Sequence, residues 1–215
     1  MNKNPDSKGT INRREFVRSS SAAAVVTAAA ACGDSSESRV QARPDRKSLA
    51  DGLSEDAVLE LVSTTARAKL AICHHCGQST FLALQEVFGL EGDQIVKALT
   101  PLPGIAERGE TCGAVTASLL ALGLVYGRDY ITDWETWRES LIPARAFCER
   151  FEQRFGSTNC AEVVHRQFGE RFDLYDPDDL QRFQAAGPTE KCGEVVGEAA
   201  RFAAALVLEA DKGSI

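Results

Sequence analysis

Hydrophobic and polar positions follow a helical period over most of the chain after residue 54. Between Ser54 and Ile72 apolar side chains recur every three or four residues, with Lys69 as the one interruption of that face. No segment alternates apolar and polar residues as a half-buried strand does. The pattern therefore predicts an all-α fold, a compact multi-helix domain, with helices over residues 54–72, 79–88, 93–99, 111–126, 134–155, 159–168 and 189–210. Pro143 predicts a kink or break in the longest of the middle helices.

The N-terminal residues have the order of an export signal. Arg13 and Arg14 precede Glu15, Phe16 and an apolar residue, and a mildly apolar, alanine-rich run follows. The run is too short to span a bilayer, and its basic, then apolar, then small order is typical of a cleaved leader. The segment resembles a twin-arginine signal, which implies export of the folded protein to the periplasm or another extracytoplasmic location.

The leader ends in small residues before Cys32, which gives two interpretations of that cysteine. The first is a lipobox, in which Cys32 is lipidated and anchors the protein to a membrane, although Ala29 stands where a lipobox usually carries leucine. The second is an ordinary signal peptidase site with Cys32 incidental. The sequence thus divides into residues 1–32 as the signal, 33–52 as a flexible linker rich in polar residues, and 53–215 as the helical domain.

Composition and charge exclude some classes of protein. Hydrophobic residues make up 44% of the chain, which is a globular rather than a disordered profile. The net charge is −7, and because residues 1–31 carry +3, the rest of the chain carries −10. An acidic domain repels phosphate backbones, so we expect no nucleic-acid partner.

Six of the seven cysteines lie in the predicted domain, and their placement suggests chemistry. An even number in an exported protein is compatible with three structural disulfides, but a domain of this size has core enough to fold without them. Three cysteines follow residues that commonly cap helices, and a helix N-terminus favours thiolate over thiol. These pairs are Thr111 with Cys112, Asn159 with Cys160, and Thr189 with Cys192.

A further candidate is the segment Cys73-His74-His75-Cys76, which holds two of the three histidines. Two cysteines at this spacing on one helix would place both sulfur atoms near one face, and the composition favours a metal or redox role. Gly77 stands where a c-type haem motif has its histidine, so the segment is not a haem site. No buried strand precedes it, so it is not thioredoxin-like.

These motifs together resemble the C-GCAxxG-C-C family of redox-active proteins. The matching pieces run from Cys76, through Gly109 to Ala117 around Cys112, to the sequence Arg154-Phe155-Gly156-Ser157-Thr158-Asn159-Cys160 and then Cys192. The resemblance implies that Cys76, Cys112, Cys160 and Cys192 are the characteristic cysteines, with Cys73 and Cys148 as additions in this chain. Two departures are Ala117 in place of the final glycine, and Pro101 and Pro103 in a loop that is usually glycine-rich.

Three functions remain open. The first is an electron-transfer module in which Cys76, Cys112, Cys160 and Cys192, with Cys73, His74 and His75 as further candidate ligands, hold an iron–sulfur cluster or another thiophilic metal. The second is a thiol–disulfide oxidoreductase with a redox-active cysteine pair. The third is a lipoprotein with structural disulfides. We expect an unidentified redox partner protein, and a homodimer that shares the cysteine face is a further expectation; whether the protein is an enzyme stays undecided.

Overall fold

The computed structural model describes residues 48–211. The predicted signal, Cys32 and most of the predicted linker lie outside these residues. Of the linker, residues 48–52 are described, and the Ser48 hydroxyl and the Ala50 N–H both donate hydrogen bonds to the carbonyl oxygen of Val87.

The described residues form an all-α domain, as the hydrophobic pattern predicts. They contain nine helices and no strand. The helices are α1 (Glu55–Cys73), α2 (Cys76–Phe88), α3 (Asp93–Ala98), α4 (Gly104–Glu107), α5 (Gly113–Tyr126), α6 (Trp134–Phe155), α7 (Cys160–Phe168), α8 (Pro177–Ala185) and α9 (Pro188–Asp211).

The core lies between four helices, with a fifth covering one side. Helix α9 packs along α1, both pack on α2, α5 packs on α2 and α9, and α6 covers α5 and α9. Alanine and valine dominate the buried faces of α5 and α9, which allows these helices to pack closely. Larger side chains fill the space around them, chiefly Phe81, Leu84, Leu122, Phe147, Phe151 and Leu206.

The helix directions bring several helix N-termini to one end of the bundle. Nδ1 of His74, just after α1, lies 3.5 Å from Oγ1 of Thr189 at the start of α9, so α1 runs antiparallel to α9. At the other end, the Tyr126 hydroxyl of α5 donates to the carbonyl oxygen of Leu206 in α9, so α5 and α9 run parallel. Helices α2, α5 and α9 therefore all begin near the point where α1 ends.

Two features of the helices differ from the sequence predictions. Helix α6 runs continuously through Pro143, so there is no break at this proline. Proline removes one backbone donor, but the buried rings of Phe147, Phe151 and Phe155 hold the following turns against the core. Helix α8 was not predicted, although Asp176 caps it and Pro177 occupies its first position, which is a common start of a helix.

Within residues 48–211, none of the helices has both the length and the apolar character that crossing a bilayer requires.

Candidate functional site: a buried cysteine cluster

Four cysteines meet at the end of the bundle where the helices begin. Cys76 and Cys160 are the first residues of α2 and α7, Cys112 is the N-cap residue of α5, and Cys192 lies in the second turn of α9. The electrostatic influence of Cys112, Cys160 and Cys192 on the Cys76 thiol shows that the four side chains are close together. The structure thus groups the four cysteines that the family resemblance selected.

The caps of these helices differ in part from the predicted ones. Asn159 caps α7 as predicted, since its side chain accepts a hydrogen bond from the N–H of Glu162 at 3.2 Å. Thr111 and Thr189 were wrong as caps. Helix α5 begins one residue later, with Cys112 itself at the N-cap, and α9 begins earlier, with Thr189 as its second residue, because Pro188 is well suited to the first position.

Backbone hydrogen bonds hold Cys112 and Cys160 next to each other. Thr111 and Asn159 form an isolated antiparallel bridge. The N–H of Cys112 donates to the carbonyl oxygen of Thr158 at 2.9 Å, and the N–H of Cys160 donates to that of Glu110 at 2.5 Å. Since the backbone makes these bonds, the two cysteines are neighbours whatever the state of their sulfur atoms.

Two glycines allow the starts of α2 and α5 to touch. A Cβ atom on Gly113 would lie 2.5 Å from Sγ of Cys76, and a Cβ on Gly77 would lie 3.3 Å from the carbonyl oxygen of Gly113. Any side chain at position 113 would therefore collide with the Cys76 sulfur. Gly113 creates the space in which that sulfur approaches Cys112.

The side chains of Cys76 and Cys112 shift each other's pKa in opposite directions. Their interaction lowers the pKa of Cys112 and raises that of Cys76 well above its ordinary value. Burial opposes ionisation of both thiols, and the N–H groups of Ala114 and Val115 at the start of α5 further lower the pKa of Cys112. Of the two, Cys112 is therefore the thiol that ionises more readily.

The other two cysteines are held as neutral thiols. Burial, with a smaller effect of the neighbouring Cys112, raises the pKa of Cys192 to about 12. Burial also raises the pKa of Cys160 strongly, and Cys112, Cys192 and Glu107 add to that effect. Sequence reasoning missed Glu107, because only the folded α4 turn brings its carboxylate towards Cys160.

The α4 turn covers Cys160 in an unusual backbone conformation. Its residues, Gly104 to Glu107, all have positive φ, which is a left-handed turn. A Cβ on Gly104 would lie 3.4 Å from Sγ of Cys160. The hydroxyl of Tyr175 donates to the carbonyl oxygen of Ala106 at 2.9 Å and ties the turn to the segment before α8. Gly104 beside Pro103 was the one sequence signal of this turn.

The Cys73-to-Cys76 segment is not on one helix, so that interpretation was wrong. Cys73 ends α1, His74 takes a left-handed conformation with φ of 50°, and His75 is the N-cap of α2. Nδ1 of His75 accepts from the N–H of Gln78 at 3.0 Å, and Nε2 donates to the carbonyl oxygen of Thr100 at 3.1 Å. Both ring nitrogens of His75 are thus engaged in structural hydrogen bonds, which explains the residue without a metal.

Cys148 lies apart from the cluster, in the middle of α6. It is half-buried beside Leu119 at a shallow groove of about 310 Å³, and burial together with Glu152 and Glu149 raises its pKa. This agrees with its assignment as an additional cysteine rather than a member of the cluster.

All six cysteines of the described residues are free thiols in this structure. Among residues 48–211, no group of three or more histidine, cysteine, aspartate or glutamate side chains has the arrangement needed to hold a metal ion.

The fold and the site together define an all-helical protein with a buried cluster of four cysteines. A family model described as "Putative redox-active protein (C_GCAxxG_C_C)" matches residues 74–206. The chain belongs to this family, as its motifs predicted, and the match covers all four clustered cysteines. No curated protein and no solved structure matches the chain.

Proposed function

We propose that the protein is a thiol–disulfide redox protein whose active pair is Cys76 and Cys112. The observation that carries this proposal is that the sulfur of Cys76 lies against Gly113, the residue directly after Cys112. Oxidation removes two electrons and the proton of Cys76 and forms one bond between the two sulfur atoms. The electrons go to a disulfide of another protein, which becomes a dithiol.

The surroundings favour Cys112 as the thiolate of the pair. Thiolate is both the attacking species and the leaving species in disulfide exchange, and the start of α5 stabilises it at Cys112. Cys160 and Cys192 stay protonated and add no second negative charge to the buried cluster. Their part is to surround the pair with polarisable, neutral sulfur rather than to react.

A redox titration tests this assignment. Protein equilibrated in glutathione buffers of graded potential is alkylated and analysed by peptide mass spectrometry. We expect a two-electron transition in which Cys76 and Cys112 become linked. The ratio of the disulfide form to the dithiol form should change tenfold for about 30 mV. Cys76→Ser and Cys112→Ser each abolish the transition, and Cys148→Ser leaves it unchanged. Oxidation that joins another pair, or none, contradicts the assignment.

A second candidate is an iron–sulfur cluster held by Cys76, Cys112, Cys160 and Cys192. Four convergent cysteine sulfurs favour it, because this is the donor set of such clusters. A cluster is also larger than a single ion, so its ligands stand further apart than those of one ion. When bound, the cluster would supply one-electron transfer. Another thiophilic metal at the same four sulfurs is part of this candidate.

Anaerobic purification decides between the two candidates. Protein lacking residues 1–32 is analysed for iron, sulfide and visible absorption, before and after reconstitution. Iron and sulfide in stoichiometric amounts, lost in Cys160→Ser and Cys192→Ser, favour the cluster. Colourless protein that stays colourless after reconstitution, with four titratable thiols at the cluster, favours the disulfide pair.

The leader supports a proposal about location. We propose that residues 1–32 direct export by the twin-arginine route, and that lipidation of Cys32 anchors the product to a membrane. The paired arginines support the first part, and the small residues before Cys32 support the second. Replacing Arg13 and Arg14 by lysine should retain the protein in the cytoplasm, while Cys32→Ala should leave export intact and remove the lipid. Normal export of the lysine variant contradicts the first part.

A further inference from the structure

Of the reactive pair, Cys112 is buried and Cys76 is only partly exposed. Cys112 is only 4% exposed, and the sulfur of Cys76 lies against Gly113 under the start of α5. Disulfide exchange requires one sulfur to approach another along the line of the bond that breaks, so a protein disulfide or dithiol cannot reach Cys112 directly. A more exposed sulfur beside Cys76 can pass the disulfide between this pair and a partner.

Cys73 is the accessible sulfur nearest to the pair along the chain. It is exposed, in contrast to the four cysteines of the cluster. Its Sγ lies 3.8 Å from the carbonyl oxygen of His75, and that oxygen belongs to the peptide group that joins His75 to Cys76. The Cys73 sulfur therefore already lies over the peptide that leads into Cys76.

The turn between the two cysteines places them on either side of a helix break. Cys73 is the last residue of α1 and Cys76 the first of α2. Only the left-handed His74 and the extended His75 separate them. A terminal residue of a helix can move more freely than an interior one, because it makes fewer backbone hydrogen bonds. Cys73 can thus turn towards Cys76 without breaking α2.

The surface around Cys73 suits contact with another protein. The neighbouring Ile72 is 81% exposed, one of the most exposed large apolar side chains in residues 48–211. An apolar side chain beside an exposed thiol gives a partner a surface to bury while its own sulfur reacts.

We propose that Cys73 is the surface relay of the redox pair, and that its partner is a protein carrying a cysteine pair beside an apolar surface. This inference rests on the proposed role of Cys76 and Cys112. Cys73 is an addition to the four characteristic cysteines. The inference gives it the step that connects the pair to other proteins.

The exchange is balanced at each step. Starting from the Cys76–Cys112 disulfide, the thiolate of Cys73 attacks Sγ of Cys76, a Cys73–Cys76 bond forms, and Cys112 leaves as a thiolate at the start of α5. A partner thiolate then attacks Sγ of Cys73, and Cys76 leaves and takes up a proton. The second thiolate of the partner then attacks the partner sulfur that is bonded to Cys73, and Cys73 leaves as a thiolate. The partner has lost two electrons and the pair has gained them.

The first test uses Cys112→Ser, which removes the end point of the relay. Treated with oxidised glutathione and mapped by mass spectrometry, this variant should form a Cys73–Cys76 disulfide. Cys112→Ala provides a second version in case serine disturbs the buried cluster. A failure of both variants to form the Cys73–Cys76 disulfide overturns the inference.

The second test measures the relay in the intact pair. Reduction of the Cys76–Cys112 disulfide by reduced thioredoxin, used as a protein dithiol, should be at least about tenfold slower in Cys73→Ser. The midpoint potential of the pair should not change, and the matched control Cys148→Ser should react like the unaltered protein. Equal reduction rates in Cys73→Ser and the unaltered protein overturn the relay but not the redox pair. The absence of a Cys76–Cys112 disulfide in the unaltered protein overturns the proposed function.

Discussion

Gly113 sets how closely the sulfur of Cys76 can approach the start of α5. Its missing Cβ would stand 2.5 Å from that sulfur, 3.1 Å from the backbone nitrogen of Gly77 and 3.3 Å from the Cα of Pro103. The first of these neighbours is a side-chain end that can rotate, but the other two are backbone. A methyl group here must therefore displace both the reactive sulfur and the contact between two helices.

Gly113→Ala should destabilise the protein and separate the reactive pair. We expect a loss of about 1–3 kcal/mol in the free energy of unfolding from overpacking, together with a shifted midpoint potential of the pair. Gly193→Ala is the matched control, because no atom lies within 4 Å of its Cβ position. That change should stabilise α9 by up to about 1 kcal/mol. Urea unfolding under reducing conditions measures the stability of both variants. Equal stability of the two variants contradicts the role of Gly113.

At the level of single residues, the sequence was sufficient to select the four cysteines but not their roles. Family motifs and helix-start positions pointed to Cys76, Cys112, Cys160 and Cys192. The division into a pair that shift each other's pKa and two neutral neighbours depends on which sulfurs lie close together. That follows from Gly113 and from the bridge between Thr111 and Asn159. Such contacts join residues far apart in the chain, so no local pattern reveals them.

At the scale of helices, the boundaries at two glycines and at Asn159 could be predicted, whereas Thr111 and Thr189 do not cap their helices. Gly89 and Gly156 end α2 and α6 in left-handed conformations, and Asn159 begins α7, all as their residue types indicate. We expected Cys73 and Cys76 on one helix because histidine is not a typical cap. Here His75 caps α2 through its ring nitrogen, and the tie to Thr100 that fixes this ring comes from another part of the chain.

The cap of α7 should control access to Cys160. Asn159→Ala removes the hydrogen bond to the N–H of Glu162 and should cost about 1 kcal/mol. Because this end of α7 carries Cys160, local opening of the first turn should accelerate alkylation of that thiol by about fivefold, the factor that 1 kcal/mol makes in an equilibrium.

Asp133→Ala is the control for this change, since Asp133 caps α6 in the same way. It lies beyond the far end of α5, about 20 Å of helix away from Cys112. It should cost similar stability and leave the alkylation rate of Cys160 unchanged. The same acceleration in both variants would mean that general loosening, rather than the α7 cap, governs Cys160.

At the scale of the whole molecule, the fold concentrates thiols at one end of an acidic domain. The amphipathic pattern predicted an all-α fold because each helix shows its own buried face. It did not predict that α2, α5, α7 and α9 begin together, since that depends on how α1 and α9 pair in opposite directions. Burial then keeps Cys160 and Cys192 protonated in the folded protein.

This burial should make the reduced protein less stable at alkaline pH. The ordinary pKa of a cysteine thiol is 9.0, and that of Cys192 in the folded protein is about 12. Between these values the unfolded chain loses the proton and the folded chain keeps it, so the free energy of unfolding falls as pH rises, by at most about 1.4 kcal/mol per pH unit for each such thiol. Below pH 9 both states are protonated and the thiol adds no pH dependence.

Urea unfolding at pH 8 and pH 10.5, with a phosphine reductant present, measures this effect. Between the two pH values, Cys192→Ser and Cys160→Ser should each lose less free energy of unfolding than the unaltered protein. If both variants lose as much stability as the unaltered protein, these two thiols ionise as readily when folded as when unfolded, and the cluster is open to water.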